Sequence, residues 1–250
     1  MKNKYYDDFR CCELKTKVKE VIEDKGFFWH TFDNTIFYAD KRHPDHGYIN
    51  QYEVLKLKEE NGIVYHLLHE KLEGEAVMVV NPGRRYIHAQ NETLSLLMNK
   101  MVQGVYRCEC VDHYITDFFM VSRFKGKCLS SQQKNELQVS LNGMIRDDYD
   151  VKISYEKISE DRYVAIGVFP AEKNTQIHVP SLKFIQMMKI LEIVDNKNDE
   201  FAIITTCGDQ MLFTIEKYYD IIKEASKILN CEPMFINTSI HQLLNKIKSN

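Results

Sequence analysis

The residues able to do chemistry in this 250-residue chain lie in a few short stretches. The densest is Arg84 to Met101, RRYIHAQNETLSLLMNKM. It opens with two arginines, passes a polar patch (His88, Gln90, Asn91, Glu92) and runs into LSLLMNKM. A second stretch holds Cys108 and Cys110, whose sulfurs would share one face of a strand, with His113 close by. These are either a partial metal site or two small buried residues. A zinc site needs a third and a fourth ligand, and the sequence points to neither. A third stretch, Lys41-Arg42-His43, would meet a phosphate or form an ordinary solvated turn.

The elements that must position these groups follow from the pattern. Leu94, Leu97, Met98 and Met101 recur at helical spacing, so the second half of the first stretch reads as an amphipathic helix with one buried face. Glu92 and Leu96 are four apart and share a side of it. Residues 1–26 also read as helical, with Leu14, Val18, Val21 and Ile22 in register and Gly26 as the stop. From Phe27 to Val80 the pattern turns to short strands separated by Asp33-Asn34, Asn61-Gly62 and Glu73-Gly74, which suggests a small barrel or curled sheet. Thr35 to Tyr38 is expected to be one of those strands. YRCECVDHYITDFFMVSRF is strand-like in its β-branched and aromatic content. Ser130 and Gln133 have capping-box spacing at the start of a helix reaching Asp147. VKISYEKI and RYVAIGVF read as two strands about the turn Glu160-Asp161, and MMKILEIV with EFAIITTCGD as a hairpin. Met211 to Asn230 is a long amphipathic helix, and a short one begins near Thr238-Ser239.

Composition bounds the function. The chain is 44% hydrophobic, enough for a sizeable core and for two domains. A net charge of -3 argues against indiscriminate nucleic-acid binding, which leaves a basic footprint. No apolar run approaches the ~20 residues that span a bilayer. The N-terminal MKNKYYDDFRCC lacks the apolar segment of a signal peptide, so a cytoplasmic location and no membrane association are expected. Seven cysteines, an odd number, are expected as free thiols.

The ordered landmarks resemble the editing domain of alanyl-tRNA synthetase and its free-standing AlaX-type relatives. RRYIH, Gln90, Thr93 and Leu97 match that family's helix segment. TIFY, Asp45-His46-Gly47-Tyr48-Ile49 and Val64-Tyr65-His66 match its barrel strands. Asn142 falls in its E-x-E-A-N-x-x-I helix, and NTQIHV (Asn174 to Val179) stands where it has C-G-G-T-H-V. The resemblance implies an α+β fold. A small N-terminal β-barrel-like domain with the leading helix would occupy residues 1–82. A class II synthetase-type editing domain, an antiparallel sheet with packed helices, would occupy 83–212, with C-terminal helices in 213–250.

The resemblance also implies a site. The family holds zinc at four positions that here read Glu92, Leu96, Asn174 and His178. Leucine has no donor and asparagine is a poor zinc ligand, so zinc is expected to be absent or weak. Glu92 and His178 are expected to meet as a hydrogen-bonded pair, acting with Thr93 as the catalytic group or surviving as a relic. His88, Gln90, Asn174, Asp117 and Arg42 are expected to contact substrate. Three functional readings result. One is a hydrolase of Ser- or Gly-charged alanine tRNA. Another is a catalytically silent tRNA- or RNA-binding relative. The third is an interaction protein, a homodimer through its long C-terminal helix. Aminoacylation is not expected, since nothing resembles an ATP-binding aminoacylation domain.

Overall fold

A computed structural model describes residues 8–39, 43–157 and 161–248. They form a mixed α+β protein with a curled antiparallel sheet and four α-helices. Among the described residues no helix is long and apolar enough to cross a membrane.

The first seven strands are β1 (Glu13–Asp24), β2 (Phe27–Phe32), β3 (Gly47–Ile49), β4 (Tyr52–Glu53), β5 (Lys56–Glu60), β6 (Ile63–Leu68) and β7 (Glu75–Val80). They make one antiparallel sheet in the order β4-β3-β7-β1-β2-β6-β5. β1 curls it. Its first half, Glu13 to Lys17, pairs with β7, and from Val18 onward it pairs with β2, across a register shift between Val18 and Glu20. A bulge of that kind bends a strand and increases its twist. The sheet closes on Phe32, Ile36, Phe37, Ile49, Leu68 and Met78.

The helix expected before Gly26 is therefore a strand over Glu13–Asp24; the part of that reading on residues 1–7 lies outside the described residues. Leu14, Thr16 and Val18 turn inward while Lys15, Lys17 and Lys19 face solvent, a period of two that outweighs the coincidental helical spacing. Lys25 and Gly26 both have positive φ, as do Asn61 and Gly62. That is the signature of tight two-residue hairpins, so Gly26 turns a hairpin rather than ending a helix. Thr35 to Tyr38, expected as a strand, is buried irregular backbone. Side chains replace its ladder. The Phe37 amide donates to Thr35 Oγ1 at 3.0 Å, the Tyr38 amide to Asp45 Oδ2 at 2.7 Å, and Arg85 Nη2 to the Ile36 carbonyl.

The rest of the chain builds on α1 (Pro82–Tyr106), capped by Asn81, whose Oδ1 accepts from the Arg84 amide at 2.9 Å. A second antiparallel sheet, β13-β14-β9-β8, consists of β8 (Glu109–Ile115), β9 (Met120–Lys125), β13 (Met188–Lys197) and β14 (Glu200–Cys207). A small three-stranded sheet joins β10 (Val151–Tyr155), β11 (Arg162–Ile166) and β12 (Glu172–Lys173). The turn between β10 and β11 falls partly on residues 158–160, outside the described residues. α2 (Ser131–Arg146) starts with the expected capping box between Ser130 and Gln133. α3 (Gly208–Leu229) and α4 (Ile236–Lys248) end the described chain. A second core joins Leu94, Leu97 and Met98 of α1 to Phe124, Leu141, Ile190 and Phe201.

α1 is buried on every side from His88 to Met98, not along one face. It packs on β8 and β14 of the second sheet and against α2 and α3. The polar patch of the sequence is thus a buried patch, and buried polar groups must find partners.

Candidate functional site

Part of this buried stretch is satisfied within α1, although among the described residues Asn91 Oδ1 finds no partner. Asn91 Nδ2 donates to the Ile87 carbonyl at 2.9 Å, and Thr93 Oγ1 to the Ala89 carbonyl at 2.8 Å. Gln90 reaches away from these, donating to the Phe184 carbonyl at 2.8 Å and accepting from the Asp209 amide at 3.4 Å. It ties α1 to the start of α3, so the structure gives it a bracing position outside the cavity described next.

Glu92 is different. Its Oε2 lies 2.9 Å from His113 Nε2 on β8, and its Oε1 lies 3.8 Å from His88 Nδ1, one helical turn back. His88 is 1% exposed and Glu92 4%. Together they form the floor of a cavity of about 530 Å³. His43 and Tyr38 from the chain between β2 and β3, Tyr114 of β8, and Thr175 with Gln176 make its walls. Glu59, Asn61 and Gly62, at the β5–β6 hairpin, reach its mouth. The His88 ring stands edge-on to Tyr38 at 4.9 Å and tilted to His43 at 5.4 Å. Burial, helped by Arg84 and His88, pushes His43 down to about 4, so its imidazole is neutral near pH 7.

The expected Glu92–His178 pair does not form; Glu92 pairs with His113 instead. His178 is engaged on both ring nitrogens. Its Nε2 lies 2.9 Å from Asn174 Oδ1, an atom that also accepts the Gln176 amide at 2.8 Å. An atom that takes a backbone N–H is the amide oxygen, so His178 Nε2 carries a proton and donates it. Nδ1 is then the bare nitrogen, 3.2 Å from Thr93 Oγ1, whose one proton is shared between it and the Ala89 carbonyl. The Val179 amide donates to the same hydroxyl at 3.1 Å. Burial pushes His178 down to about 3, which agrees with a neutral ring. Thr93, Asn174 and His178 together fasten the 174–179 loop to α1. Arg162 supports that loop from below, donating to the Asn174 and Gln176 carbonyls at 3.0 and 2.7 Å.

The four positions that the family uses for zinc do not make a donor set here. Leu96 lies in the apolar core. Asn174 and both nitrogens of His178 are taken up by each other and by Thr93, and one oxygen of Glu92 is taken up by His113. Among the described residues no group of three or more His, Cys, Asp or Glu is arranged to hold a metal ion. Cys108 and Cys110 are free thiols, with Cys110 pushed up to about 11 by burial. Asp117 stands outside the cavity, 3.3 Å from Arg84 Nη1 and 3.7 Å from His43 Nε2. Arg42 lies outside the described residues.

Sequence reasoning set His113 only beside the Cys108 and Cys110 pair and read His43 as part of a basic loop; it missed the walls from the β5–β6 hairpin. His113 had one usable signal, its position on a strand that follows the helix. The hairpin's contributions had none, because nothing local says that residues some 30 positions upstream fold over α1.

The fold and cavity define an α+β protein in which the β5–β6 hairpin of a curled antiparallel sheet reaches the mouth of a buried His–Glu pocket on α1. No family model matches the chain. It is similar to alanine–tRNA ligase of Pyrococcus abyssi (strain GE5 / Orsay), 22% identical over 278 aligned positions that cover 98% of this chain and 30% of that relative. The chain thus spans less than a third of the relative's length, and the likeness is to one stretch of a longer tRNA ligase.

Proposed function

We propose that this protein is a cytoplasmic tRNA-handling protein of the AlaX type that hydrolyses the ester of a mischarged tRNA, Ser- or Gly-charged alanine tRNA, without a resident zinc. The observation that carries the reading is the Glu92–His113 contact of 2.9 Å on the floor of the cavity. In this reading the carboxylate holds the His113 ring in place for proton transfer, the arrangement of a general base. In the proposed step a water oxygen bonds to the ester carbonyl carbon while its proton passes to His113. The acyl C–O bond then breaks, the terminal ribose oxygen leaves with that proton, and free amino acid and tRNA result. Thr93 and His178 act in this scheme as positioning residues that hold the 174–179 wall in place. The division into 1–82, 83–212 and 213–250 belongs to the same proposal, since one apolar core draws on residues 14–80 and the other chiefly on 86–207.

The test is deacylation of serine-charged alanine tRNA by the wild-type protein, His113→Asn and Glu92→Gln. Loss of the base is expected to lower kcat/KM by about 10²–10⁴-fold, with unchanged thermal unfolding as the control for folding. Wild-type protein no faster than the uncatalysed reaction would remove the hydrolase reading and leave the silent RNA-binding one. Salt-dependent binding of the same tRNA would then decide that reading.

The proposal includes a homodimer through α3. Leu212, Ile215, Tyr219 and Ile222 recur at helical spacing and are all exposed, at 42% to 61%. Apolar patches of that extent mark interaction surfaces. Sedimentation equilibrium of the wild type against Ile215→Lys/Tyr219→Lys should show a dimer only in the former.

A further inference from the structure

Resting on the hydrolase reading, we infer that His88 and Glu92 form a seat for the free α-amino group of an aminoacyl ester. Neither ring nitrogen of His88 has a hydrogen-bond partner, although the residue is 1% exposed. An orphaned buried polar group costs about 1–3 kcal/mol, and folded proteins keep few of them without a reason. The ring lines the cavity, so a group entering it would complete the bond. Glu92 offers the second half. Its Oε2 is occupied by His113, while among the described residues its Oε1 accepts no hydrogen bond. Oε1 and His88 Nδ1 stand 3.8 Å apart, too far to bond each other. One ammonium nitrogen, with three N–H donors, can bridge two acceptors at that separation.

The charge of the cavity selects the same ligand. Its described lining holds two carboxylates, Glu59 and Glu92, and no lysine or arginine. A phosphate would meet negative charge, and an ammonium would be drawn in. The buried His43 imidazole, neutral near pH 7, does not change that balance. The tRNA backbone therefore stays outside while the aminoacyl end enters amine first. This placement brings the ester carbonyl near His113, because the carboxylate that holds the amine also holds the base. An N-acylated aminoacyl ester, which lacks the charge and two of the donors, is excluded from the seat.

The experiment compares serine-charged alanine tRNA carrying a free amino group with the same tRNA after N-acetylation. Each rate is divided by its uncatalysed rate, since blocking the amine alone slows ester hydrolysis. The wild type is expected to accelerate the free-amine ester at least ~10-fold more than the blocked one. In His88→Phe, which keeps a ring against Tyr38, that ratio should collapse towards one. Equal acceleration of both esters by the wild type would overturn the amine seat and leave the hydrolase standing. Acceleration of neither would overturn the hydrolase and the seat with it. Adding zinc to chelator-treated protein should leave the rates unchanged. A zinc-dependent rise abolished in His88→Phe would give the same two side chains to a metal ion and overturn the assignment.

Discussion

Acidification from pH 7 to pH 5 should weaken the fold by about 4 kcal/mol through two buried imidazoles alone. His66 lies buried under the curled first sheet, enclosed edge-on by the rings of Phe32 and Phe37 at 5.1 and 5.3 Å. Its Nδ1–H donates to the His30 carbonyl at 3.3 Å, and its Nε2 lies 2.9 Å from Thr35 Oγ1. His178 lies in the second core, faced by Arg162, His113 and His88. Burial is the leading cause that pushes each of them down to about 3 from the usual 6.5. In the unfolded chain both regain the usual value, so the unfolded state takes up protons first. Their stabilisation is complete above pH ~7 and drains away as the pH falls from about 6.5 towards about 3. At pH 5 each site has lost about 2 kcal/mol, a large part of a total that is ~5–15 kcal/mol for a folded protein. His43 and His30 are lowered as well and push in the same direction. Ordinary carboxylates titrate mainly below pH ~5, so the comparison of pH 7 with pH 5 isolates the histidines. The assay is urea unfolding followed through Trp29, the chain's one tryptophan, on the strand beside His66. His66→Gln removes one titration, so its midpoint should move less between the two pH values than that of the wild type, by roughly 0.7 M urea. Equal shifts in both proteins, or an NMR titration of His66 near 6.5, would refute the reasoning.

Two further predictions concern the joints that hold the site. Arg85 and Asp45 form a fully buried ion pair that ties the 36–45 loop to α1, with Nε 3.2 Å from Asp45 Oδ1. Arg85→Ala leaves that carboxylate buried and should cost about 3–5 kcal/mol in urea unfolding, while a loss under 1 kcal/mol would show that the pair is solvated. Gly208 starts α3 at φ +50°, and an added Cβ would run into the Gln90 side chain. Gly208→Ala should therefore cost about 1–3 kcal/mol and loosen the α1–α3 joint, read as faster hydrogen exchange at the Asp209 amide; Gly104→Ala, where a Cβ meets open space, serves as the control.

What the sequence made legible was whatever local chemistry enforces. The Ser130–Gln133 capping box, the Asn61-Gly62 turn and the β13–β14 hairpin are each specified by residues within a few positions of one another. What it hid depended on distant partners. β1 looked helical because the alternation of Lys15, Lys17 and Lys19 with Leu14, Thr16 and Val18 matters only once β7 and β2 lie beside it. Thr35 to Tyr38 has strand-forming residues, yet Asp45 and Arg85 take its hydrogen bonds.

The site followed the same rule. The resemblance fixed attention on positions 92 and 96, but the polar pair that faces the cavity is 88 and 92. That is a displacement of four residues, about 6 Å along the helix axis. It turns the pair from His178, which is closed off by Asn174 and Thr93, towards His113 and the walls that Tyr38 and His43 make. Leu96 fills the next turn of α1 with core, so the polar side left to Glu92 is the one it shares with His113 and with His88, which among the described residues stands without a hydrogen-bond partner.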